Sequence, residues 1–184
     1  MILEEWKESL KVAITGEFNA IRKYQAFSEQ AAAEGFHNTS GLFKAIAEGE
    51  KIHLENHRRA LGMDFDPELN QINIGTTENN LRQALDGERE EFKEMYPSFI
   101  KAMRRIRGES QAVAKLSMKW AKETEEHHSE ILSEALQAVS SGKDYEVTKF
   151  WVCKVCGNLE IGGPPDDVCP VCKHDPKFYM EVKT

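Results

Sequence analysis

The feature that most constrains this chain is the presence of acidic residues where long helices should bury apolar side chains. Across residues 3–140, apolar positions recur every three or four residues in four separate stretches, which is the pattern of helices that pack along one face. Each of these four stripes contains a Glu near its middle. An unpartnered buried carboxylate is costly, so a fold built from these helices must provide a partner for the charge.

The four predicted helices cover residues 3–34, 40–61, 77–106 and 109–140. Gly62 is expected to end the second helix, and Pro97 is expected to kink the third because it lacks an amide hydrogen. The connections within the first pair and within the last pair are short, which predicts two antiparallel hairpins. The connection between the pairs, about 15 residues, can reach ~50 Å when extended, more than the ~33 Å length of the second helix. The sequence therefore predicts an all-α four-helix bundle with one long crossover.

The residues that interrupt the stripes share one helical phase and are predicted to point inward. In two stripes a His follows the Glu three residues later, a spacing that places both side chains on one helix face. One Glu from each of two helices, with Glu-x-x-His from each of the other two, is the pattern of di-iron and di-manganese carboxylate proteins. The third helix offers a second carboxylate. The predicted inward residues are Glu17, Glu50, His53, Glu88, Glu91, Glu125 and His128.

The ordinary explanation of an inward Glu is a side chain that reaches back to solvent. Four interruptions that coincide near mid-length are not explained this way, and five carboxylates with two imidazoles cannot neutralise one another by pairing. Two divalent cations would balance most of the charge and would use the imidazole nitrogens as ligands. Oxygen-rich ligands with two His favour iron or manganese over calcium or magnesium.

The stretch KETEEHHSEIL, residues 122–132, depends on this phase because it offers two adjacent His. Glu125 and His128 share a face with Ala121 and Leu132, so they are the predicted ligands of this helix. The residues predicted to lie mainly outside the metal site are Glu123, Glu126, His127 and Glu130.

Three further side chains have two interpretations each. His57 follows His53 by one helical turn and is either a packed core residue, the favoured interpretation, or a partner of a ligand. Tyr24 and Tyr96 either pack in the core or also hydrogen-bond ligand carboxylates.

All four cysteines lie near the C-terminus, in two Cys-x-x-Cys pairs separated by twelve residues. In a reducing compartment such pairs are metal ligands more often than disulfides, and four thiolates suit either zinc or iron. Aromatic residues, Tyr179 among them, are expected to pack over a unit too small to have a large core. The predicted ligands are Cys153, Cys156, Cys169 and Cys172.

The net charge of −7 argues against a general nucleic-acid binder, which usually has a basic face. No apolar run approaches the roughly 20 residues that span a bilayer, and the N-terminal residues have no signal-peptide pattern. The sequence therefore predicts a cytoplasmic protein with neither a nucleic-acid nor a membrane partner.

Taken in order, these motifs resemble the rubrerythrin family over essentially the whole chain. The resemblance implies a ferritin-like four-helix domain in residues 1–142, a linker in residues 143–150 and a rubredoxin-like domain in residues 151–184. It implies two iron ions at the carboxylate site and one iron at the four cysteines, where zinc is the alternative. It rests on GEFNAIRKY around Glu17, EGEKIHLENH around Glu50 and His53, GEREEFKEMYPSF around Glu88 and Glu91, ETEEHHSEIL around Glu125 and His128, and the two cysteine knuckles.

The resemblance also implies an activity and partners. The expected activity is reduction of hydrogen peroxide to water, as a defence against oxidative stress. Electrons would come ultimately from NAD(P)H through a rubredoxin or a flavoprotein, and the four-cysteine iron would relay them, across a subunit boundary in a homodimer. His53 would exchange with Glu91 as an iron ligand. Two alternatives remain: an iron-oxidising or iron-handling protein, and a zinc-ribbon adaptor on an ordinary helical bundle.

Overall fold

The helical part of the molecule follows the predicted order of elements. The computed structural model describes residues 5–103 and 108–184; Leu3 and Ile106, which the predicted helices include, lie outside these ranges. The helices are α1 (Glu5–Ala33), α2 (His37–Leu61), α3 (Thr77–Glu90), α4 (Tyr96–Ala102) and α5 (Glu109–Ser140), with a π-helical segment (Glu91–Met95) between α3 and α4. α1 packs mainly against α2, and α3 against α5, so the two predicted hairpins are confirmed. None of the described helices has the length and hydropathy of a membrane-spanning segment.

The bundle buries two apolar clusters with a polar layer between them. Phe43 and Leu132 belong to one cluster, and Leu10 and Met118 belong to the other. Each long helix passes from one cluster to the other, and its inward Glu lies at the passage. Since burial of one large apolar side chain contributes about 1.5–3 kcal/mol, the clusters hold the helices together on both sides of the polar layer.

Helix α2 begins at His37 rather than at residue 40, because a distant carboxylate caps it. The residue at its N-cap, Phe36, makes no side-chain cap. Asp144 instead accepts hydrogen bonds from the backbone N–H groups of Asn38, at 2.8 Å, and Thr39, at 3.0 Å. A carboxylate there satisfies free N–H groups and interacts favourably with the helix dipole. Asp144 lies in the predicted linker, so that segment is attached to the bundle.

The predicted kink at Pro97 takes the form of a π-helical segment just before the proline. The Tyr96 N–H donates to the carbonyl of Glu91, five residues back, and Pro97 stands in the first turn of α4. Pro97 has no amide hydrogen with which to continue a regular α-helix, and a wider turn accommodates its ring. Glu88 is buried whereas Glu91 is partly exposed, so their spacing of three residues does not give them equal burial.

The C-terminal residues form a small antiparallel sheet of the order β2-β1-β3, with strands β1 (Phe150–Cys153), β2 (Leu159–Ile161) and β3 (Tyr179–Glu181). This confirms the fold class, an all-α bundle with a small metal-knuckle unit. Phe150 and Val152 of β1 are fully buried in one of the apolar clusters of the bundle. The knuckle unit therefore packs directly on the helices, and the division at residues 143–150 stays a prediction.

Gly62 provides a test of backbone strain in this fold. It ends α2 in the left-handed conformation, with φ 66°, and a Cβ added there meets nothing within 4 Å. We expect Gly62→Ala to lower the free energy of unfolding by about 1 kcal/mol. Gly16 has equally open surroundings but lies within α1. Gly16→Ala should therefore raise the free energy of unfolding by about 0.5–1 kcal/mol. Urea denaturation of both variants measures the two effects, and effects of the same sign would contradict the argument.

Candidate metal centres

Two overlapping groups of buried carboxylates and imidazoles occupy the polar layer of the bundle. Within each group, one ligand atom from every residue lies within 4.8 Å of the others. Glu50 and Glu125 belong to both groups, and both are fully buried. Two carboxylates shared in this way suit a pair of adjacent cations. The groups are Glu17, Glu50, His53 and Glu125, and Glu50, Glu88, Glu125 and His128.

The two His side chains enter this layer with the same ring nitrogen. Nδ1 of His53 lies 2.8 Å from Glu50 Oε2 and 3.0 Å from Glu125 Oε1. Nδ1 of His128 lies 2.9 Å from Glu125 Oε2 and 3.3 Å from Glu88 Oε2. The ring centroids are 6.2 Å apart. One imidazole therefore serves each group.

Many of the polar atoms in this layer make no hydrogen bond of good geometry within the described part of the chain, even where an oppositely charged group lies about 3 Å away. An unsatisfied buried polar atom costs about 1–3 kcal/mol, so this concentration of them indicates a ligand. Carboxylate oxygens together with imidazole nitrogens form a donor set that suits iron or manganese. The residues present therefore fit a di-iron site. The atoms are Glu17 Oε2, Glu50 Oε1, His53 Nε2, Glu88 Oε2, both carboxylate oxygens of Glu125, and both ring nitrogens of His128.

In the absence of a cation, protonation lowers the charge of the cluster. Burial, and then the negative charges of Glu125 and Glu50, raise the pKa of Glu88 to about 8. Burial and neighbouring carboxylates also raise the pKa of Glu17 well above its ordinary value. Burial opposes the charged form of His53, but Glu125 and Glu50 outweigh it and raise the pKa of His53 to about 10. The cluster thus retains protons near neutral pH that a metal would have to displace.

Two tyrosines orient carboxylates of the cluster. The Tyr24 hydroxyl donates to Glu88 Oε1, and the Tyr96 hydroxyl donates to Glu17 Oε1. Of the two interpretations of these residues, hydrogen bonding to carboxylates is the one that the structure supports. The regular helical spacing could not predict the direction of the Tyr96 side chain, because Tyr96 directly follows the π-helical segment.

His57 extends one of these contacts into the bundle. Its Nε2 lies 3.0 Å from the Tyr96 hydroxyl, and its Nδ1 lies 3.1 Å from Ser117 Oγ. Burial, and then the charge of His53, lower the pKa of His57 to about 3, so the ring is neutral. The favoured interpretation, a simply packed His, is therefore wrong, because the ring holds the tyrosine that orients Glu17. In the sequence, this role of His57 is indicated by its position one helical turn after His53.

Glu91 is the one predicted inward residue that the structure places outside both groups. It is partly exposed at the start of the π-helical segment, but it still faces the cluster, because burial and the charges of Glu88, Glu125 and Glu50 raise its pKa well above the ordinary value. It lines a polar cleft of about 260 Å³ together with Asn19, Lys23 and Gln83. The other six predicted residues come together in the two groups.

The two adjacent His of α5 face in different directions. His128 is fully buried in the carboxylate layer. His127 is partly exposed, and its Nδ1 lies 2.6 Å from Asn158 Oδ1 of the knuckle unit. The predicted helical phase is therefore correct. The neighbours predicted to lie outside, Glu123, Glu126 and Glu130, are exposed.

The four cysteines form the second cluster. All four are free thiols, and their sulfur atoms lie within 4.8 Å of one another. The Cys153–Cys172 and Cys156–Cys169 sulfur pairs are 3.7 and 3.5 Å apart. A tetrahedron with metal–sulfur bonds of about 2.3 Å has edges of about 3.8 Å, so the thiols fit a tetrathiolate metal centre.

Tyr179 contacts this centre directly, a role that its predicted packing did not include. Its hydroxyl donates to Cys169 Sγ at 3.2 Å. Burial, and then the hydrogen bond to Cys169, raise the pKa of Tyr179 well above its ordinary value, so the phenol keeps its proton.

The knuckle lies against α2 at one of the inward His residues. A Cβ on Gly157 would lie 2.5 Å from His53 Nε2, and a Cβ on Gly49 would lie 2.9 Å from the Gly157 carbonyl oxygen. Asn56 Nδ2 donates to the carbonyl of Val155 at 2.8 Å. Because both glycines lack a side chain, the residue that follows Cys156 approaches the ring of His53. The two clusters of one chain are thus neighbours.

Comparison with known proteins places this architecture in a family. Residues 8–141 match the family model described as Rubrerythrin. The chain is 32% identical to rubrerythrin-1 of Clostridium acetobutylicum, over 95% of this chain and 92% of that protein. It is 32% identical to nigerythrin of Nitratidesulfovibrio vulgaris, over 90% of this chain and 80% of that protein. A structure of nigerythrin in a mixed-valence state matches with a TM-score of 0.83 and 27% identity, covering 96% of this chain and 86% of that one.

The fold and the two clusters define a non-haem di-iron protein, with a ferritin-like bundle and a rubredoxin-like domain whose four cysteines form a tetrathiolate metal site. The chain belongs to the rubrerythrin family, a family of oxidoreductases. The two predicted cofactor sites are thereby confirmed, while the role of each ligand residue stays a prediction.

Proposed function

We propose that this protein is a peroxidase that reduces hydrogen peroxide to water in defence against oxidative stress. The observation that carries the proposal is the pair of overlapping ligand groups, joined by Glu50 and Glu125, beside a four-cysteine centre. Reduction of one peroxide to two waters consumes two electrons and two protons. Two ferrous ions in the shared site supply two electrons when bound, which matches that requirement.

The proposed ligands follow the two groups. Glu17 and His53 would hold one iron, Glu88 and His128 would hold the other, and the two shared carboxylates, Glu50 and Glu125, are available to both. Glu91 is proposed as the ligand that exchanges with His53. In this structure His53 belongs to one ligand group and Glu91 to neither, while burial and the charges of Glu88, Glu125 and Glu50 raise the pKa of Glu91 well above its ordinary value, so Glu91 lies near enough for such an exchange.

The cleft beside Glu91 supports a route for a small polar oxidant. Its lining is rich in amides, with Asn19, Asn70 and Gln83 among the residues, and it adjoins Lys23. The crossover is fixed there because Asn19 Nδ2 donates to the Glu68 carbonyl at 2.8 Å. Hydrogen peroxide both donates and accepts hydrogen bonds, so an amide-lined cleft is compatible with its passage.

Around the site, the chain contributes fixed hydrogen bonds. Tyr96, held by His57, orients the carboxylate of Glu17, and Tyr24 orients that of Glu88. Such outer contacts limit the number of carboxylate positions and thereby preserve the ligand geometry.

The four-cysteine centre is proposed to relay electrons from a rubredoxin or a flavoprotein that draws on NAD(P)H. The contact between Gly157 and His53 supports a relay within one chain, so the relay needs no subunit boundary. A homodimer and a cytoplasmic location remain predictions.

A peroxide titration of the reduced protein tests the proposal. Protein loaded with iron and reduced anaerobically should consume one peroxide per di-iron site in a single turnover. Addition of a rubredoxin, a flavoprotein reductase and NADPH should allow repeated turnover. The matched control is Cys169→Ser, which should retain the single turnover but lose the repeated one. Oxidation by dioxygen without peroxide consumption would favour an iron-handling protein, and a colourless protein with one zinc and no iron would favour an adaptor.

A further inference from the structure

A chain of hydrogen bonds joins α5 to the four-cysteine centre. It begins at His127, whose Nδ1 lies 2.6 Å from Asn158 Oδ1. Asn158 Nδ2 donates to the Tyr179 hydroxyl at 2.9 Å, and that hydroxyl donates to Cys169 Sγ at 3.2 Å. Asn158 and Cys169 are fully buried.

The direction of the hydrogen bonds is determined at every step. The phenol hydrogen of Tyr179 goes to sulfur, so the phenol oxygen accepts from the amide of Asn158. The second amide hydrogen of Asn158 goes to Glu160 Oε1 at 2.9 Å. The remaining atom of the amide is its oxygen, which only accepts, so His127 must donate from Nδ1. Every donor therefore points from the helix towards Cys169.

A hydrogen bond to a thiolate sulfur stabilises the state with more electron density on that sulfur. In an iron–thiolate centre this is the ferrous state, so such bonds raise the reduction potential. The hydroxyl of Tyr179 could rotate away from sulfur if its oxygen had no fixed donor. Asn158 supplies that donor, and His127 fixes the orientation of the Asn158 amide.

We propose that His127 is a positioning residue for the four-cysteine iron: through Asn158 and Tyr179 it fixes a hydrogen bond to Cys169 that raises the reduction potential of that iron. The adjacent residues His127 and His128 then serve different metal centres of the same chain. The proposal rests on the iron relay of the proposed function, which gives the potential its role, and on iron rather than zinc at the four cysteines.

An anaerobic redox titration of the iron-loaded protein, followed by the visible absorption of the iron–thiolate centre, tests this assignment. Tyr179→Phe removes only the hydroxyl, and the ferrous-to-ferric ratio at a fixed potential should fall about threefold to tenfold. A tenfold change in a one-electron couple is 59 mV. His127→Leu should shift the ratio in the same direction by a smaller factor, and His127→Gln, which keeps a donor, should restore part of it. The double variant should match Tyr179→Phe alone, since both changes act through one bond.

Tyr145→Phe is the matched control. Its hydroxyl donates to Glu134 Oε2 at 2.9 Å, on the bundle, so its loss should leave the potential unchanged. A purely structural role of His127 predicts a looser knuckle with an unchanged potential, and that result would overturn the proposal, as would an unchanged potential in Tyr179→Phe. The titration needs no peroxide, so failure of the peroxidase assay and failure of this assignment are separate outcomes.

Discussion

Replacement of His128 by alanine is expected to empty the iron position that it serves. His128 is fully buried, and its Nδ1 lies within 3.3 Å of carboxylate oxygens of Glu125 and Glu88. Loss of an outer partner of a metal ligand typically costs 10–100-fold in affinity, so loss of the ligand itself should cost at least about 100-fold. Iron content measured after gel filtration should fall, while the visible spectrum of the four-cysteine centre should remain.

The matched control is His127→Ala, one residue earlier on the same helix. His127 turns to Asn158 and away from the carboxylates, so this variant should keep the di-iron site filled. A filled site in His128→Ala with an emptied one in His127→Ala would mean that the helical phase of α5 is off by one residue.

The second large effect is a dependence of stability on pH that reverses when iron binds. In the metal-free protein, the pKa of Glu88 is raised from 4.5 to about 8, and that of His53 from 6.5 to about 10. Between pH 6.5 and 8 both groups therefore hold more protons in the native state than in the unfolded chain. The free energy of unfolding must fall as pH rises through this window, by about 1.4 kcal/mol per pH unit for each full proton of difference. The expected loss is on the order of a few kcal/mol.

Groups with lowered pKa values do not cancel this trend. The pKa of His57 is lowered to about 3 and that of Glu50 lies below its ordinary 4.5, so both are deprotonated in the native and unfolded states across most of the window. With iron bound, the ligands have already lost their protons, and metal affinity rises with pH. The loaded protein should therefore hold or gain stability from pH 6.5 to 8.

Urea denaturation at pH 6.5 and 8, with and without ferrous iron under anaerobic conditions, measures both trends. Glu88→Gln serves as the control, because a neutral amide of the same shape cannot titrate. In the metal-free state this variant should lose less stability between the two pH values. A metal-free protein that became more stable at pH 8 would refute the idea that the cluster retains protons.

Much of the bundle could be predicted because burial imposes one period on each helix. The inward phase of Glu125 and His128 followed from apolar neighbours three and four residues away, and the structure places both in the layer. The prediction for Glu91, which belongs to neither ligand group, shows the limit of an argument from helical period. The π-helical segment that begins there changes the backbone hydrogen-bond pattern, and a periodic pattern cannot report such a change.

Contacts between distant parts of the chain could also not be predicted from the spacing of residues in the sequence. Asp144 caps α2, and Asn158 contacts His127, but neither pairing leaves a local signal. The four cysteines could be grouped from their spacing, whereas the hydrogen bond from Tyr179 to Cys169 depends on how the three strands are arranged.

The small space between Gly49 and Gly157 also has a kinetic consequence. Because these glycines let the knuckle pack on its own bundle, the proposed electron transfer between the two centres would be a unimolecular step. The rate of a unimolecular step does not change when the protein is diluted, so, if the proposed relay operates, a cell with few copies would have the same internal transfer rate as a cell with many. Only the delivery of electrons and of oxidant from outside would depend on abundance.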